Sequence, residues 1–190
     1  MNTKQNNNAG SNYSSGGDMT VNQHAPNFLK NKSILAEVVN ILSKSHISKN
    51  TSIKSKRPPH EIEEKIKHNN VIKSRYIIDC YKYNVPDLAK AYDVLEKEKT
   101  GKKDKILAII KMEYNKELAT IVDIVEEDKI KKIREQSDNI LENIVKELNK
   151  KIIESSNLDA YNEDVNIAIM LIVADAFIEC IVLEKPKVIT

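Results

Sequence analysis

From residue 33 onward, apolar residues recur at helical spacing, and the stripe they form changes width from segment to segment. Ile34, Leu35, Val38, Val39 and Leu42 lie on one face behind Ser33, a good N-cap, and predict a helix from Ser33 to about Ser43. Pro58-Pro59 opens the next, because proline suits a first helical turn and Glu61, Glu63 and Glu64 favour its positive end. Ile62 and Ile66 give it a thin stripe that ends near Asn69-Asn70. A short helix over Lys73–Tyr83 turns Tyr76, Ile77, Cys80 and Tyr81 inward. Pro86 starts another, Pro86–Lys99, with Leu88, Ala91, Tyr92 and Leu95 inward and a stop at Thr100-Gly101. Asp104 to about Val122 follows, marked by Ile106, Leu107, Ile110, Tyr114, Leu118 and Ile121. A long helix from about Glu127 to Glu154 presents Ile130, Ile133, Ile140, Leu141, Ile144, Val145, Leu148 and Ile152, with Lys and Glu at i,i+4 on its other faces. The last, Asn162 to about Leu183, is apolar nearly all round. Such a helix is contacted on several sides, which predicts an all-α bundle with this helix at its centre.

Segments without periodicity divide the chain. Residues 1–27 are rich in Asn, Ser and Gly, hold three of the four glycines, and cannot bury enough surface to offset their chain entropy. Within them, Gly17-Asp18-Met19-Thr20-Val21-Asn22 alternates like one short strand, unstable alone but able to pair with a copy from another chain in a homo-oligomer. Residues 28–57 read as a short helix and a basic linker, and 58–187 as a helical C-terminal docking domain. Composition agrees: Trp is absent, Phe occurs twice, Gly and Pro are scarce, and the 41% hydrophobic content is largely aliphatic. Charge adds an asymmetry. Residues 1–60 carry a net +6 and the remainder a net −4, a basic front on an acidic body.

The candidate chemistry is sparse. His60-Glu61 begins like a zinc-protease motif, but Glu64 stands where the second His belongs. Gly101-Lys102 lacks the other residues of a phosphate loop, and neither cysteine belongs to a paired motif. Cys80 and Cys180 read as reduced, buried thiols of a cytoplasmic protein. The N-terminus has no apolar h-region, so the Asn12, Asn31 and Asn50 sequons are chance matches. Val165–Leu183 approaches the length of a membrane span, but Asn166, Asp175 and Glu179 interrupt it, which points away from the membrane. Asp175 and Glu179, one turn apart, are candidate partner contacts. No third ligand at metal or catalytic spacing accompanies them, and no cofactor is implied. Lys44, Lys49, Lys54, Lys56 and Arg57 are candidate phosphate contacts, without interleaved aromatic residues for stacking on single strands.

Two stretches carry a resemblance. Pro58-Pro59-His60-Glu61-Ile62-Glu63-Glu64-Lys65-Ile66-Lys67-His68-Asn69-Asn70-Val71-Ile72-Lys73 resembles the opening of the C-terminal domains of bacterial ABC-three-component conflict systems. Val165-Asn166-Ile167, the run Ile172-Val173-Ala174-Asp175-Ala176-Phe177-Ile178 and Leu183-Glu184-Lys185-Pro186 resemble that family's final helix, and Gly16–Asn22 resembles a leader segment found before such domains. The resemblance implies an anti-phage system combining an ABC-type ATPase, a middle component and an effector, with the helical domain docking the effector onto the others. No nuclease, protease or NAD-consuming domain fits into residues 28–57, so any killing activity is expected in another chain. The resulting expectation is a non-catalytic helical adaptor whose partners are the ATPase and middle component. The alternative is a nucleic-acid-associated regulator using the basic 44–57 segment.

Overall fold

The first helix begins where a side chain can satisfy one of its first amides. In the computed structural model, which describes residues 31–45, 57–121 and 126–186, α1 (Ile34–Lys44) starts at Ser33, whose hydroxyl accepts the Leu35 amide at 3.2 Å. Next come α2 (Pro59–His68), α3 (Arg75–Glu98), α4 (Lys102–Ile121), α5 (Glu126–Glu135), α6 (Ser137–Ile153) and α7 (Asn162–Ile178). The fold is all-α, with no strand among the described residues. The strand pattern at 17–22 and the lysines at 49, 54 and 56 lie outside the described residues.

α7 is the hub. Every residue from Leu171 to Ile178 is buried, and the helix packs against α1, α3, α4 and α6. A helix that is apolar on all sides has no face to offer water, so its neighbours enclose it. α1 contributes Leu35, Ala36, Val38 and Val39 to the same core. No helix among the described residues is long and apolar enough to cross a membrane.

Three boundaries differ from those the periodicity predicts. The helices expected on either side of Pro86 are one, α3. Proline removes a backbone donor and costs about 3 kcal/mol inside a helix. Yet Tyr81, Val85, Leu88, Ala91, Tyr92 and Leu95 form an unbroken buried stripe across it, and Pro86 is itself buried. Burying one such side chain is worth about 1.5–3 kcal/mol, so packing outweighs the break. Tyr76, expected inward, is 54% exposed. The long helix expected over 127–154 is two, α5 and α6, divided at Gln136, which leaves helical geometry at ψ 6°. Ser137-Asp138 there makes a new helix start. The last helix stops at Ile178 rather than near Leu183.

The Asp138 side chain explains the α5–α6 break. Its carboxylate accepts the amides of Ile72 at 3.1 Å, Lys73 at 3.1 Å and Ser74 at 2.9 Å. Ser74, at the start of α3, makes no capping bond with its own side chain. The first turn of α6 therefore caps the entry to α3, and the loop carrying these amides is the one that leads out of α2. Asn70 bends that loop at φ 53°, a left-handed position that asparagine tolerates well.

Loss of three amide acceptors at one site is costly. Asp138→Ala is expected to lower the unfolding free energy by about 2 kcal/mol, measured by urea denaturation. A midpoint equal to that of the parent protein would show that this carboxylate does not hold the α2–α3 junction.

Candidate functional site

α2 has an unusual inner face. Ile62, Lys65, Ile66 and Asn69 fall at i, i+3, i+4 and i+7, so one lysine and one asparagine share the apolar stripe, and all four are buried. The two polar members reach the end of α7. The Lys65 ammonium donates to the carbonyl of Phe177 and, at 3.0 Å, to that of Val182. It also lies 4.4 Å from the centre of the Phe177 ring. Burial pulls the Lys65 pKa down to about 8, against the opposing pull of Cys180 beside it. Asn69 donates to the Glu184 carbonyl at 2.8 Å and accepts the Glu184 amide at 2.8 Å, pairing with that backbone in both directions.

This is why α7 stops where it does. After Ile178 the chain turns through a two-bond cap, with the Cys180 amide on the Phe177 carbonyl at 3.1 Å and the Ile181 amide on that of Ala176 at 2.9 Å. Cys180 takes the left-handed position, φ 59°, where glycine is usual, and Leu183 repeats it at φ 61°. Two left-handed non-glycine residues so close together hold only because their surroundings over-determine them. Lys65 and Asn69 supply that restraint from α2, and Lys111 of α4 adds a bond to the Ile181 carbonyl at 3.1 Å.

Between α2 and this folded-back segment lies a cleft of about 900 Å³. Ile62, Phe177 and Ile178 form its floor, and Lys67, His68 and Lys185 stand on its walls. Cys180 also lines it; both cysteines are free and half-buried rather than fully inside.

The residues singled out from sequence are dispersed. Asp175 is 1% exposed and faces the interior beside Tyr92, whose hydroxyl is pushed well above its usual pKa by burial and then by the Asp175 charge. Glu179 is half-buried and meets Lys103 of α4 at 3.5 Å, and Lys103 in turn lies 5.1 Å from the Tyr92 ring centre. The two carboxylates thus join α7 to α3 and α4. Lys44 is exposed and pairs with Asp159 at 3.0 Å. Arg57 pairs with Glu61 at 3.2 Å and lines the cleft. No group of three metal-ligating side chains occurs among the described residues. Lys65 and Asn69 were missed, although polar residues on the apolar stripe of α2 were the signal.

The family model for C-terminal domain 10 of the ABC-three component (ABC-3C) systems matches residues 33–184. The chain belongs to this family. The match takes in α1 and ends at Glu184, the residue whose backbone Asn69 holds. No curated protein and no solved structure matches the chain. In this ABC-3C domain, the two stretches that carry the resemblance, 58–73 and 165–186, meet in space. The first builds α2 and the loop after it, the second builds α7 and its cap, and the cleft lies between them.

Lys65 gives the junction a pH signature. Its pKa falls from 10.5 in an ordinary setting to about 8 in the fold. Between those values the unfolded chain holds more protons than the folded one, so this lysine makes stability rise with pH, by up to about 1.4 kcal/mol per unit. The cost of burying the ammonium is fully present below pH 8. The stability difference between parent and Lys65→Met is expected to shift in the parent's favour from pH 8 to pH 10, read by chemical denaturation. Parallel stability curves would contradict it.

Proposed function

We propose that this chain is a non-catalytic adaptor that docks components of a bacterial ABC-three-component defence system by protein–protein contact. Its partners on this reading are the ABC-type ATPase and the middle component. The observation that carries the proposal is the meeting of the two family-like stretches at one cleft. Here they converge on an open concavity, held in shape by Lys65 and Asn69.

The internal use of the acids supports the same reading. Asp175 and Glu179 are occupied with α3 and α4, which gives both carboxylates a use within the fold. Membership of the ABC-3C family supplies the system in which the other components are sought.

The test is reconstitution. The full chain mixed with the ATPase and middle component of its system is expected to co-elute with at least one of them in size-exclusion chromatography at micromolar concentration. Added DNA or RNA at low salt is expected to leave that complex intact. Separate elution of all three proteins would refute the adaptor role, and displacement by nucleic acid would favour a phosphate-binding role instead.

A further inference from the structure

The cleft between α2 and the end of α7 carries two chemistries. Its floor is apolar, made by Ile62, Phe177 and Ile178. Its rim is cationic. Arg57 is met by Glu61, and Lys65 is spent on the carbonyls at the end of α7. Lys67, His68 and Lys185 remain, all on the cleft wall and none with an ion-pair partner among the described residues. One further acid, Glu64, lines the same wall.

An acidic segment is drawn to a concavity with these unpaired cations on its wall, where low-dielectric walls focus the field. The volume, about 900 Å³, falls within the range of sites that enclose a small ligand or a few residues of peptide. The apolar floor argues against nucleic acid, because Phe177 is fully buried and presents no free ring face for a base to stack on.

Building on the docking reading above, we infer that this cleft receives an acidic segment of a partner protein, with carboxylates against Lys67, His68 and Lys185. Rim charges of this kind set association rate and partner choice more than final affinity. Recognition by the cleft is therefore salt-sensitive and selective against basic segments.

The experiment uses the full chain with the intact ATPase and middle component of its system, and fluorescent peptides tiled across both. The double variant Lys67→Glu with Lys185→Glu reverses two exposed rim charges. The control Lys90→Glu with Lys97→Glu reverses two exposed charges on α3. Circular dichroism and melting temperature verify that both remain folded. The cleft variant is expected to weaken binding to the partner component about tenfold at low salt, and the control less than about twofold. The peptides that bind are expected to be net acidic. Binding by the intact components that the cleft reversal leaves unchanged would overturn the cleft assignment while leaving docking in place. So would binding confined to basic peptides. Failure of both components to bind the parent chain would remove the docking reading and the cleft assignment together.

Discussion

A helix with no polar face creates two obligations, and the structure is arranged around both. α7 buries every residue from Leu171 to Ile178, so other helices have to enclose it. Its last carbonyls also need donors, since the final turn of a helix leaves several without partners and a buried unsatisfied carbonyl costs about 1–3 kcal/mol. Enclosure comes from α1, α3, α4 and α6. The donors come from the folded-back segment itself and from Lys65 of α2, while Asn69 holds the folded-back segment in place at Glu184. Summed over the core, apolar burial at about 1.5–3 kcal/mol for each large side chain contributes far more than these bonds do. The polar bonds are fewer, but they decide where α7 ends and how α2 lies against it.

Charged groups elsewhere follow the same logic of joining elements. Glu113 of α4 is 3% exposed and is met by Lys151 of α6 and by Lys116 one turn along. Burial pushes its carboxyl up, and the two lysines pull it further down, leaving it below the usual range. The carboxylate thus stays ionised in the seam between α4 and α6, where an unpaired charge would be destabilising. Lys102 makes the corresponding link at the other end of α4, to Glu37 of α1 at 2.8 Å. At the α3–α4 turn, Glu96 accepts the Gly101 and Lys103 amides at 2.8 and 2.7 Å.

Much of this was legible in the order of residues. Period 3.6 located the helices, and the loss of any polar face marked α7 as the centre. What the pattern could not resolve was competition between local preference and tertiary packing. Pro86 is a local stop signal, but a buried stripe on both sides of it overrode that signal. Ser137 and Asp138 sit between apolar positions of unbroken spacing, so the restart they cause appears only once the amides of residues 72–74 are placed beside them. Leu183 continues an apolar run, yet lies beyond a turn whose left-handed residues, Cys180 and Leu183, carry no glycine to announce it. The cleft was hidden for the same reason. Lys65 and Asn69 are ordinary surface residue types, and only their register with Ile62 and Ile66 sets them apart.

The most direct measurement is native-state hydrogen exchange across α7. If enclosure of this helix is the constraint on which the rest depends, amides from Val165 to Ile178 exchange only through global unfolding, with protection equal to the full unfolding free energy. The amides of α5, whose main contacts are with α4 and α6, exchange sooner through local opening. Exchange of the α7 amides as fast as those of α5 would contradict the account.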